Sequence, residues 1–118
     1  MNEAGFKAKL RAKIKPHCYI QSMSSPAVAG TPDLWLSGKT DLWLEVKYDE
    51  KTKGAVTPKL SPLQSRWLEA RAKEGRNVAV IVGTSPSVAI LYRTDWRTPS
   101  NDRRPLESII TELLEGLL

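Results

Sequence analysis

At 118 residues the chain is sized for a single domain, expected to span 1–118, and its 41% hydrophobic and 26% charged residues are the make-up of a folded globule. One cysteine excludes a disulfide framework and a cysteine-built zinc site, and no apolar run is long enough to span a bilayer, so a reducing cytoplasm is the expected setting. Eighteen Lys and Arg against thirteen Asp and Glu leave a net charge of +5, which favours a polyanion such as nucleic acid as partner but does not single one out.

Phe6, Leu10 and Ile14 recur at helical spacing and predict an amphipathic helix from Met1 to Lys15, stopped by Pro16. Lys7, Lys9, Arg11, Lys13 and Lys15 decorate its other sides. Within His17 to Met23, Cys18-Tyr19-Ile20 reads as a short strand, and Ser24-Ser25-Pro26 with the small residues up to Gly30 reads as a flexible link. Leu34-Trp35-Leu36 and Leu42 to Val46 flank Ser37-Gly38-Lys39, the pattern of a β-hairpin in which Gly38 is expected to supply a positive φ. Alternation along the second strand places Leu42, Leu44 and Val46 on one face and Trp43, Glu45 and Lys47 on the other. Tyr48 to Leu60 is polar and is expected to be a mobile loop.

Ser61-Pro62 opens a second helix with a capping serine and a first-turn proline; Leu63, Trp67 and Ala70 form its expected inward stripe and Gly75 its end. Val78 to Val82 is an uninterrupted apolar run, as in a strand buried on both faces, and Val88 to Tyr92 is a further strand after the Ser85-Pro86-Ser87 turn. Thr98 to Pro105 reads as a loop, and Leu106, Ile109, Ile110, Leu113, Leu114 and Leu117 as a third helix whose stripe is either core or a dimer contact. This order predicts an α/β fold, a mixed sheet of about five strands covered by helices.

The chemistry concentrates in Gly30-Thr31-Pro32-Asp33 and Leu44-Glu45-Val46-Lys47. Pairing of the hairpin strands can bring Asp33 and Glu45 together, and hard divalent cations such as Mg²⁺ take one or two carboxylates plus water and substrate phosphate. Lys47 projects from the same strand face as Glu45, within reach of the same phosphate, and the Val46 carbonyl is a further oxygen donor. With one histidine, His17, no Ser-His-Asp triad or zinc hydrolase centre can form within a single chain.

These two motifs resemble the PD-(D/E)XK nuclease signature, and Ser61-Pro62-Leu63-Gln64 is similar to the Ser-Pro-x-Gln segment of its VRR-NUC branch, which includes small phage-type relatives of archaeal Holliday-junction resolvases. The resemblance covers the chain from the first helix to Val82 and implies a restriction-endonuclease-like fold. It implies that Asp33, Glu45 and the Val46 carbonyl hold Mg²⁺ or Mn²⁺, with Glu3 at the metal or its water shell. Lys47 would then position or deprotonate the attacking water, and Gln64 would orient Lys47 or that water. The implied activity is hydrolysis of phosphodiester bonds in duplex or branched DNA, in a bacterial or phage-infected cell. Symmetric cutting of a junction would favour a homodimer.

The Tyr48 to Leu60 segment departs from the family pattern in its length; its Lys51, Lys53 and Lys59, with Lys7 and Arg11 of the first helix, are the expected DNA contacts. Plainer readings stand beside these. Ser61-x-x-Gln64 is also a capping box, Glu45 and Lys47 also suit a solvated strand face, and Trp35, Trp43, Trp67 and Trp96 suit core or interface as well as base stacking. The alternative function is a non-catalytic DNA-binding or assembly module that keeps the nuclease fold.

Overall fold

The computed structural model describes residues 1–23 and 30–117, so the expected link at Ser24-Ser25-Pro26 lies outside the described residues. Its elements are α1 (Glu3–Ile14), β1 (Tyr19–Ser22), β2 (Leu34–Ser37), β3 (Asp41–Tyr48), α2 (Pro62–Lys73), β4 (Val78–Ser85), β5 (Val88–Tyr92), β6 (Arg104–Pro105) and α3 (Leu106–Glu115). The strands form one sheet in the order β1-β2-β3-β4-β5-β6. Every neighbouring pair is antiparallel except β3 and β4, which run parallel with α2 as their crossover. The sheet therefore has six strands where five were expected: Arg104–Pro105, read as loop, pairs with Val88 and Ala89 along the edge of β5. A two-residue strand carries no alternation for a sequence pattern to reveal.

Helices α1 and α3 cover one sheet face. Phe6, Leu10 and Ile14 of α1 are wholly buried there against Leu42, Leu44 and Val46 of β3, as alternation required. The α3 stripe belongs to the same core, which decides between the two uses open to it. On the opposite face Leu68 of α2 packs with Val78, Val80, Val82, Ile90, Tyr92 and Trp96.

Two expectations need correction. Trp67 packs partly buried against the core as expected, but the fully buried residue of α2 is Leu68 and Leu63 stands 47% exposed, because the helix is rotated to carry Gln64 toward β3. Gly38 does not adopt a positive φ. A β-carbon there would lie 2.4 Å from the Leu117 carbonyl oxygen, whose partner is the Lys39 N–H, so glycine is needed for the close seat of the C-terminal turn against the hairpin. The 49–60 segment, expected as a loop, is tied by hydrogen bonds to the rest of the fold. Asp49 accepts from the backbone of Lys51 and Thr52, Val56 exchanges two backbone hydrogen bonds with Ser100, and Arg103 donates to the Thr52 carbonyl.

Gly83 of β4 lies under Phe6, and a β-carbon there would meet the ring at 2.6 Å. Phe6 also packs on Tyr48, with ring centroids 5.4 Å apart, so the ring has little room to retreat. Gly83→Ala is expected to destabilise the fold by about 1–3 kcal/mol, read as a lower denaturant midpoint at unchanged slope. An unchanged midpoint would show that Phe6 repacks freely.

Candidate metal-dependent active site

The site is built where β2 begins beside the middle of β3. Leu34 pairs with Leu44, and one further step of that register sets Asp33 opposite Glu45. Gly30, at φ 88, lets the chain enter β2 hard against α2; a β-carbon there would lie 2.6 Å from the Leu63 carbonyl oxygen. This is why the glycine of Gly30-Thr31-Pro32-Asp33 matters: it sets the distance between Asp33 and the start of α2.

Glu45 is 2% exposed, the buried charged residue of the sheet. Its Oε1 accepts from the Asp33 N–H at 3.2 Å, and its Oε2 accepts from Gln64 Nε2 at 2.9 Å and faces Lys47 Nζ at 3.2 Å. Asp33 accepts from the Val46 N–H at 3.0 Å through Oδ2 and pairs through Oδ1 with Lys7 Nζ at 3.2 Å. Burial, reinforced by the neighbouring Asp33 carboxylate and opposed by Lys47, pushes the Glu45 carboxyl up to about 7.

Gln64 forms the capping box and turns its amide nitrogen to Glu45, not to Lys47. Its Oε1 accepts from the Ser61 N–H at 2.9 Å, completing the capping box, while its amide nitrogen reaches Glu45. The helix cap thereby fixes the amide that orients the carboxylate. Val46 enters the site through its N–H on Asp33, a contact the sequence reading did not anticipate. Lys7 is another: three positions before Leu10 and next to Phe6, it is held by two core anchors of α1 in reach of Asp33. Arg11 is half-buried on the same helix.

Glu3 lies apart from the pair, on the wall of a cavity shared with Lys47, Lys51 and Lys59; Lys53 is exposed on the 49–60 segment outside that wall. Among the described residues no group of three His, Cys, Asp and Glu side chains is placed to hold a metal. The donor set is thus two adjacent carboxylates, with Lys7 beside Asp33 and Lys47 beside Glu45. Two hard oxygen donors with their mutual repulsion only partly offset fit Mg²⁺ or Mn²⁺, which leave their other positions to water and phosphate.

The wider surroundings are aromatic. Trp35 stacks on Trp43 with centroids 5.6 Å apart, Tyr19 and Trp67 meet them edge-on, and Arg71 lies over the Trp67 ring. Trp96 is core. His17 is exposed before β1, and Cys18 is half-buried against the core, which pushes its thiol upward.

Solved structures share this architecture. A VRR_NUC domain aligns over 98% of this chain and 97% of its own, with a TM-score of 0.58 and 22% identity. A VRR_NUC domain protein aligns over 71% of this chain and 79% of its own, with a TM-score of 0.55 and 22% identity. Hjc, a Holliday junction resolvase from the archaeal hyperthermophile Archaeoglobus fulgidus, aligns over 98% and 99% with a TM-score of 0.62 and 18% identity. No family model and no curated protein sequence matches the chain. The chain therefore has the α/β fold of the resolvase-like nucleases. The likeness in fold is to the VRR_NUC domain and to Hjc, the fold that the sequence motifs implied.

Proposed function

We propose that the chain is a single-domain, metal-dependent DNA endonuclease that hydrolyses phosphodiester bonds in duplex or branched DNA. The observation that carries this reading is the buried Glu45 carboxylate held beside Asp33 with Lys47 Nζ at 3.2 Å, in a fold shared with VRR_NUC domains and Hjc. Asp33 and Glu45 would hold Mg²⁺ or Mn²⁺, with the Val46 carbonyl as a further donor. When bound, the cation supplies Lewis-acid charge for the scissile phosphate and makes a bound water more acidic. Gln64 holds Glu45 in place. Lys47 offers a proton-bearing ammonium at the edge of the pair, where it orients the attacking water and counters charge developing at phosphorus. Lys7, Arg11, Lys51, Lys53 and Lys59 would supply the positive charge for the neighbouring phosphates. Glu3 would reach the cation's water shell from the wall of the cavity that it shares with Lys47.

Symmetric cutting of a junction requires two copies. The half-exposed rings of Trp35, Trp43 and Trp67, with Tyr19 58% exposed beside them, form a face edged by Arg71, Arg76, Asp41 and Glu74. Equal numbers of each sign suit a second copy of the same face better than a polyanion.

The test incubates the purified protein with labelled four-way junction, flap, duplex and single-stranded DNA in Mg²⁺, Mn²⁺ or EDTA, beside Asp33→Ala. Metal-dependent cutting that disappears in the variant is expected, with paired cuts in the junction. Binding without cutting under every metal and substrate would replace this reading with a non-catalytic DNA-binding module. A monomer by sedimentation, both free and on DNA, would remove the symmetric version.

A further inference from the structure

Lys7 reaches the carboxylate pair from outside the sheet. Its neighbours Phe6 and Leu10 are wholly buried, Phe6 against Gly83 and Tyr48, so the backbone at Lys7 is fixed and its ammonium moves only by rotation of a flexible stem. Nζ lies 3.2 Å from Oδ1 of Asp33, 26 residues away in sequence, and ties α1 to the start of β2.

The other described contacts of the pair are held more firmly. The Val46 N–H on Asp33 Oδ2 and the Asp33 N–H on Glu45 Oε1 come from the backbone, which cannot turn away. Gln64, on Glu45 Oε2, is locked by its part in the helix cap, and Lys47 rises from the same strand as Glu45 with 18% of its side chain exposed. The Lys7 side chain is 31% exposed, so its ammonium can exchange the carboxylate for water while the helix stays where it is. Of these contacts, Lys7 on Asp33 is the one that yields first to a stronger claimant.

A divalent cation is such a claimant. Mg²⁺ sits about 2.1 Å from a carboxylate oxygen, so a cation on Asp33 Oδ1 would stand no more than about 5 Å from an ammonium left in place, where water screens their repulsion poorly. With both carboxylates ionised, Lys7 and Lys47 already balance them. A divalent ion added beside both lysines leaves its whole charge in excess; turning Lys7 out to water halves that excess.

We propose that Lys7 is an exchangeable counter-ion of the site, its ammonium and a divalent cation holding Asp33 Oδ1 in alternation. Lys7 is then a positioning residue: it keeps the Asp33 carboxylate turned toward Val46 and α1 tied to the hairpin until a cation displaces it. The proposal rests on the reading of Asp33 as a metal ligand and adds a competitor built into the chain.

The experiment compares the wild type with Lys7→Met, which keeps the reach of the stem and suits a helix, and with Lys7→Arg, which keeps the charge. Mn²⁺ affinity is read from the paramagnetic resonance of the free ion, melting temperature is taken in EDTA and in saturating Mn²⁺, and the Lys7 Nζ signal is followed by ¹⁵N–¹H correlation during a Mg²⁺ titration. Lys7→Met is expected to bind Mn²⁺ about five- to tenfold tighter, the worth of a partly buried ion pair lost only from the cation-free protein. It should melt below the wild type in EDTA and level with it in saturating Mn²⁺, because the tighter binding offsets the lost pair. Lys7→Arg should stay within about twofold of the wild type. Mg²⁺ should move the Lys7 signal to that of a solvated lysine, while Lys9, bonded to the Pro86 carbonyl, keeps its own. A melting temperature lowered equally in both media with unchanged Mn²⁺ affinity would make Lys7 a structural tie only, and a Lys7 signal indifferent to Mg²⁺ would leave it in place beside the cation; either overturns the proposal. So would a Lys7→Arg variant that tightens Mn²⁺ as Lys7→Met does. Mn²⁺ binding lost in Asp33→Ala but unmoved by Lys7→Met would overturn the exchange alone, whereas binding indifferent to Asp33→Ala would remove the reading of Asp33 as a ligand as well.

Discussion

Lys47→Met is expected to lower the metal-dependent cleavage rate by about two to four orders of magnitude, the usual worth of a positioned proton-transfer group with its charge. DNA binding should change little, because Lys47 is one cation among several around the site and its ammonium already faces Glu45 at 3.2 Å. Mn²⁺ binding should hold or tighten, since the substitution removes a positive charge from beside the carboxylates. The three readouts separate the roles the residue could play. A parallel fall in binding and cleavage would make Lys47 a phosphate anchor; lost Mn²⁺ binding would make it a structural support for Glu45. Unchanged cleavage would remove it from the chemistry. Lys47→Arg sharpens the distinction, because a guanidinium keeps the charge but cannot give up a proton at neutral pH.

What could be read in advance follows from how local each signal is. Strand alternation in Leu42 to Lys47 fixed which face holds the core and which holds Glu45 and Lys47, because a period of two admits no other assignment once one face is apolar. Helices α1 and α3 were legible from their 3.6-residue stripes, and the start of α2 from its serine and proline. The face of α2 was not. Leu63, Trp67 and Ala70 form a credible stripe, but the capping geometry of Ser61 and the bond from Gln64 to Glu45 turn Leu68 inward. Gly38 shows the same limit: a glycine in a hairpin suggests a special φ, whereas here it makes room for Leu117, far away in sequence. At the candidate site, the convergence of Asp33 with Glu45 follows from hairpin register. The Lys7–Asp33 pair and the Val46 N–H on Asp33 depend on how α1 crosses the sheet, and the ties of the 49–60 segment depend on Ser100, Tyr92 and Arg103, so no local pattern announced them.

The Glu45 carboxyl, ordinarily near 4.5 and here raised to about 7, makes both metal affinity and metal-free stability depend on pH in a fixed direction. In the unfolded chain Glu45 loses its proton near its ordinary value; in the folded, metal-free protein burial and Asp33 keep the proton on until about 7. Between those two values the folded state binds more protons than the unfolded one, so this group's contribution to stability is full below the lower value and is lost as pH rises through the upper. The span corresponds to about 3 kcal/mol. Asp49 and Glu112, held below their ordinary values by Thr52 and Arg104 respectively, act in the opposite sense only at more acid pH, so the Glu45 effect is read between about pH 5 and 8. In EDTA the wild type should therefore be less stable at pH 8 than at pH 5.5, and Glu45→Gln, a neutral isostere able to keep a bond to Gln64, should flatten that slope. Binding of Mn²⁺ requires the carboxylate, so each unit below about pH 7 should weaken it up to about tenfold with release of one proton, and above that pH the dependence should level off. Calorimetric titration in buffers of differing ionisation enthalpy counts the proton directly. A Mn²⁺ affinity independent of pH across this window would place the cation away from Glu45, and a stability slope of the opposite sign would mean that Lys47 and Gln64 hold the carboxyl ionised despite its burial.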